Sequence, residues 1–164
     1  MALTALAAMW FLPFALPICV WVAWNDMKFM KIPNKAVIAL FVVFAVVGLI
    51  ALPFTEYLWR YLHLVVVLVI GFVLNMGRMI GAGDAKFAAV MAPFIPYADT
   101  GRFLILFATI LVAAFITHRI FKARPAMRPN TDDWVSWTSP KFPMGLALGG
   151  ALAFYLARGV FYGA

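Results

Sequence analysis

Two aspartates are the residues in this chain best placed to do chemistry. Asp84 sits in Gly81-Ala82-Gly83-Asp84-Ala85-Lys86, between two glycines and a lysine. Asp26 sits in Asn25-Asp26-Met27-Lys28, followed shortly by Ile32-Pro33-Asn34. Two facing carboxylates repel when both are ionised, so one keeps a proton and the other does not. The ionised member can take a proton from water, which then attacks an amide carbonyl. The protonated member polarises that carbonyl and later protonates the leaving nitrogen. This chemistry needs no metal, no cofactor and no serine or cysteine nucleophile. The one cysteine, Cys19, lies in an apolar run and reads as a small buried hydrophobe, and His63 and His118 fall near opposite faces.

The elements that must position these acids are apolar. The 164 residues are 66% hydrophobic and 12% charged, with a mean hydropathy of +1.01. A soluble domain sits nearer half apolar and a quarter charged. The composition predicts an all-α polytopic membrane protein, read as one integral-membrane domain over residues 1–164. Apolar runs cover residues 2–24, 36–54, 57–77, 85–96, 103–121 and 144–162, which gives six expected spans. A polar link covers 25–35, and polar loops cover 97–102 and 122–142. No basic residue precedes the first run, and the run is too long for a signal-peptide core. The fourth run is too short to cross ~30 Å of hydrocarbon alone, at about 1.5 Å per residue. Either its helix starts before Asp84, or Asp84 lies at depth against a wet, protein-lined cavity. The glycines before Asp84 suit a bent backbone with positive φ or a close backbone approach.

Ten of the thirteen lysines and arginines fall on one side: Lys28, Lys31, Lys35, Arg78, Lys86, Arg119, Lys122, Arg124, Arg128 and Lys141. Arg60, Arg102 and Arg158 fall on the other. The positive-inside rule makes the first side cytoplasmic and puts both termini outside. It also explains the net charge of +7 without nucleic acid. Asp26 and Asp84 then share the cytoplasmic face, which is what a joint active site requires.

Each residue also has a structural reading. An aspartate beside lysines at a helix end is ordinarily an interfacial cap or ion-pair partner. Gly81 and Gly83 can form a turn or a tight helix contact. Lys28, Lys31, Lys35 and Lys86 read as topology anchors. Asn25, Asn34 and Asn75 read as helix caps or interhelix hydrogen bonds before they read as partners of the acids. Asp132 and Asp133 read as a solvated loop, and the tryptophans and phenylalanines as mainly lipid-facing or interfacial.

Gly81-Ala82-Gly83-Asp84 followed by Lys86 resembles the GxGD-x-K signature of the type IV prepilin peptidases, a family of membrane aspartyl proteases. Asp26, followed after five residues by Ile32-Pro33-Asn34, is similar to their first motif. The segment from Pro143 through Gly145 to Gly149 is similar to their proline-glycine entry into the last helix. The resemblance covers nearly the whole chain. It implies that Asp26 and Asp84 are the catalytic pair and that Gly81, Gly83 and Lys86 belong to the active-site loop. It implies that the substrate is a pilin or pseudopilin precursor, cut at the cytoplasmic face of a bacterial inner membrane. Bifunctional members carry paired cysteines in an added methyltransferase region. Here only Cys19 is present, so the chain resembles the short form that serves Flp/Tad-type pili. Presenilin-like proteases share GxGD, but their late Pro-Ala-Leu motif does not occur here. A proton-coupled transporter using the two acids as a relay is the alternative from another class. Repeats with matching broken helices are not visible, since Asp26 ends the first span while Asp84 begins the fourth. A non-catalytic assembly protein is the third reading.

Overall fold

The computed structural model describes residues 1–128 and 130–163, and among these the chain is helical. Five helices are long and apolar enough to cross a membrane: α1 (Ala5–Phe29), α2 (Asn34–Ala51), α3 (Phe54–Met76), α5 (Thr100–Ala123, with the turn before it) and α6 (Met144–Tyr162). The protein is therefore an all-α, multi-pass membrane protein. The fourth of the six apolar runs does not form a helix of that length. Helix α4 (Ala82–Met91) has 10 residues and is continued by two 3-10 turns, Ala92–Phe94 and Tyr97–Asp99. It starts just ahead of Asp84 and still falls short, because Pro93 and Pro96 interrupt the helical ladder.

Broken backbone at membrane depth must find partners in the protein. The Pro93 carbonyl accepts from Arg60 Nη1 at 3.1 Å, and the Ile95 carbonyl from His63 Nδ1 at 3.1 Å. Both side chains come from α3. Arg60 is buried and is neutralised by Glu56 one turn earlier, with Nη2 2.5 Å from Oε1. Arg60 is thus more than the topology anchor that its charge suggests.

Helix α1 begins at Thr4, whose Oγ1 accepts from the Ala7 N–H. It runs on past residue 24, where the apolar run ends, because no glycine or proline stops it before Met30. Asn25 and Asp26 therefore lie in its last turns rather than in a link. Met30 closes it at φ 54, in the left-handed region. Pro33 and Pro53 then start α2 and α3.

The α1–α6 seam is close. A Cβ on Gly149 would lie 2.6 Å from the Cys19 carbonyl oxygen, and one on Gly159 2.8 Å from Ala8 Cβ. Small residues allow this approach where lipid offers no hydrophobic drive. Around it, Phe11, Phe44, Phe87 and Phe94 are fully buried, so these phenylalanines form the core and do not face lipid. Phe94 stacks edge-on against Phe11 at 4.9 Å, filling the space that short α4 leaves.

At the end away from Asp26, buried Asp99 accepts from the N–H groups of Ala2 and Leu3 and from Tyr155 Oη, at 2.8, 3.1 and 2.8 Å. One carboxylate thereby joins the starts of α1 and α5 to the last turns of α6. Both described ends of the chain lie at this end of the bundle.

Candidate active site

Asp26 projects from the last turns of α1 and is 5% exposed. Its Oδ2 accepts the Gly145 N–H at 2.6 Å. Gly145 is in the first turn of α6, where the N–H groups have no intrahelical partner and the helix dipole favours an anion. Pro143 precedes that turn as the cap and is fully buried. A Cβ on Gly145 would lie 2.8 Å from Asp26 Cβ and 3.0 Å from Oδ2. Only glycine fits between this backbone and this carboxylate.

Asp84 is the third residue of α4. Its Oδ2 accepts the Gly81 N–H at 3.2 Å, so it also caps its own helix from within. A Cβ on Gly81 would lie 2.6 Å from that oxygen. Gly83 faces the other motif: its Cβ would lie 3.3 Å from Ile32 Cβ and 3.6 Å from the Ile32 carbonyl oxygen. Neither glycine uses positive φ, and no described glycine does. The left-handed residue of this stretch is Arg78, at φ 57, three positions before Gly81. The glycines serve the other role, close approach, inside an ordinary N-terminal turn.

This approach brings the two aspartates to one cavity of about 730 Å³, which Asp26 and Asp84 line together with Ile32, Pro33, Gly81 and Gly83. Two asparagines hold the connections that shape it. Asn25 Nδ2 donates to the Lys31 carbonyl at 3.1 Å, and Asn75 Nδ2 to the Ile80 carbonyl at 2.9 Å. Each ties the segment beside one motif, and neither bonds a carboxylate. Asn34 opens α2 and is exposed, and Lys86 is exposed on α4; neither lines the cavity. Lys31 lines it instead.

The loop between α5 and α6 adds Val135 to the cavity wall. It is anchored by Trp137, which stacks on His118 at 5.0 Å, by Lys122 donating to the Ser139 carbonyl at 2.6 Å, and by Asp133 3.9 Å from Lys28. Sequence reading gave Val135 no role, since nothing in a lone exposed valine marks it. The asparagines carried a signal, each lying five or six positions from the carbonyl it holds.

The arrangement offers two carboxylates, one held at a helix N-terminus and one capping a helix, around a space large enough for a peptide and a water. Among the described residues no group of three or more His, Cys, Asp or Glu is placed to hold a metal ion. The family model of the type IV leader peptidases matches residues 13–118, which include both aspartates. No curated protein and no solved structure matches the chain.

Proposed function

Since the chain belongs to the type IV leader peptidase family and is thereby a membrane protease, we propose that Asp26 and Asp84 are its catalytic pair and that it removes the leader from pilin-like precursors. The observation that carries this reading is the single cavity lined by both carboxylates.

The pair divides the work of amide hydrolysis. The ionised carboxylate takes a proton from water as the water attacks the scissile carbonyl. The protonated carboxylate donates to the developing oxyanion, and a proton then passes to the leaving nitrogen. Where two carboxylates share one proton, the roles belong to the pair and not to either residue. The Gly145 N–H fixes the orientation of Asp26, and the Gly81 N–H that of Asp84.

The cavity lies at the end of the bundle that carries most of the lysines and arginines, so it faces the cytoplasm of a bacterial inner membrane. Residues 1–164 act as one peptidase domain. Hydrolysis needs an extended peptide and water, and the hydrocarbon core supplies neither. The cut therefore falls just before the substrate's own membrane helix. Glycine on the leader side suits a site walled by Gly81, Gly83 and Pro33. Lysines around the site repel a basic leader, so recognition rests on the helix and on the residues at the cut.

The test is mass spectrometry of a co-expressed precursor with a basic leader ending in glycine and a single apolar helix. A new amino terminus directly after that glycine is expected. A cut in the middle of the helix, or at its outer end, would overturn this reading in favour of presenilin-like cleavage.

A further inference from the structure

A second cavity, of about 780 Å³, also has Asp84 in its wall. It is a groove along the bundle. Val66 of α3 and Leu104 of α5 form its sides, while Ala88 and Ala92 form its floor. Ile80 and Met144 lie at the end near the aspartates, and Trp59, Tyr97 and Thr100 at the opposite end. The groove stays open because α3 packs on α4 and α5 packs on α6, while no packed seam joins α3 to α5 among the described residues. Both side walls look outward: Val66 and Leu104 are exposed.

We infer that this groove receives the membrane helix of the substrate, laid along α4 with its amino-terminal end at Asp84. This rests on the peptidase reading above and extends it to the part of the substrate beyond the cut. Three features identify the occupant. First, the groove is continuous with the site: Asp84 borders both cavities, so a chain leaving the space between the aspartates enters the groove directly. Second, the groove runs from Ile80 and Met144, beside the site, to Trp59, Tyr97 and Thr100 at the other end of the bundle, so its occupant lies along the helices rather than across them. Third, apart from Asp84 and His63, whose Nδ1 is engaged by Ile95, the lining carries no ionisable side chain except the Tyr97 phenol at the outer end. Ala88 and Ala92, one turn apart on the floor, let another backbone come close. The occupant is thus an uncharged, apolar, single-span helix.

Disulfide mapping tests this in membranes, with the enzyme carrying Cys19→Ala and one new cysteine. The probe is the same precursor with one cysteine, placed about two, ten or eighteen residues after the cut. Ile80→Cys should pair with the first position, Val66→Cys and Leu104→Cys with the second, and Thr100→Cys with the third. Ile38→Cys and Leu49→Cys, exposed on α2, should pair with none. That ordered pattern supports the groove. Equal pairing with the α2 controls, reversed order, or no pairing from the groove while the precursor is still cut would overturn the groove and leave the peptidase reading intact. Failure of the unsubstituted enzyme to cut the precursor would remove both.

Discussion

The Gly145 N–H donates to Asp26 Oδ2 at 2.6 Å across 119 positions of sequence. One hydrogen bond thus joins the last turns of the first helix to the first turn of the last, and it aims a carboxylate. The contact leaves no room for a side chain, since a Cβ on Gly145 would meet Asp26 Cβ at 2.8 Å. Gly145→Ala should therefore lower cleavage by about 10²-fold, the size of effect expected when a catalytic group is displaced by about an ångström. Gly150→Ala, whose Cβ would meet only Ile110 Cγ2 at 3.4 Å, is the control and should stay within about twofold. Rates measured on the same precursor in the same membranes decide it; equal rates for the two variants would remove Gly145 from the site.

Gly83 makes the corresponding contact at the other motif. Gly83→Val adds branches where even a Cβ would lie 3.3 Å from Ile32, so α4 must move away from the 31–33 segment and take Asp84 with it. Ala82→Val, at an exposed position, should be far milder. The ratio of the two rates checks this, and similar losses would show that close packing on Ile32 is not what Gly83 provides.

Much of this architecture is legible in the sequence, for a physical reason. Hydropathy and charge bias belong to single residues in order, so the apolar runs, and the common face of Asp26 and Asp84, follow without a fold. The short fourth run is legible too, but its completion is not. It depends on Arg60 and His63 bonding carbonyls 33 and 32 positions away, and a lone arginine in an apolar run reads as an anchor. The glycines divide in the same way. That Gly81 and Gly83 matter is visible from their types beside an acid. That they act by close approach and not by positive φ requires the neighbours Asp84 and Ile32 to be in place. Burial of Phe11, Phe44, Phe87 and Phe94 is hidden for a related reason: in a membrane protein both core and surface are apolar, so hydrophobicity alone does not say which side a ring faces.

Arg60 gives a stability prediction. Arg60→Met keeps most of the aliphatic length but leaves the Pro93 carbonyl without its donor and Glu56 without its counter-charge. A buried carbonyl left unpaired costs about 1–3 kcal/mol. The variant should melt at lower temperature in detergent than the parent, and Glu56→Gln should have the smaller effect because Glu56 is partly exposed. An unchanged melting curve for Arg60→Met would show that the 92–99 segment holds its shape without this bond.

Orientation is open to direct labelling. In a Cys19→Ala background, Tyr97→Cys, at an 83% exposed position, should react with an impermeant thiol reagent from outside. Asp133→Cys, in the loop beside the aspartate cavity, should react only after the membrane is opened. The reverse pattern would place the aspartates on the outer face and contradict cleavage from the cytoplasm.

The central claim, that Asp26 and Asp84 act together on one peptide bond, is tested most directly by removing each charge without changing its shape. Asp26→Asn and Asp84→Asn should each insert, fold and accumulate as the parent does. Each should lose precursor cleavage by more than about 10³-fold, since neither carboxylate alone supplies both the base and the acid. The measurement is the amount of precursor converted per unit of folded enzyme in membranes. Complete loss in both variants is the expected result; turnover of a few per cent or more in either one would contradict the pair.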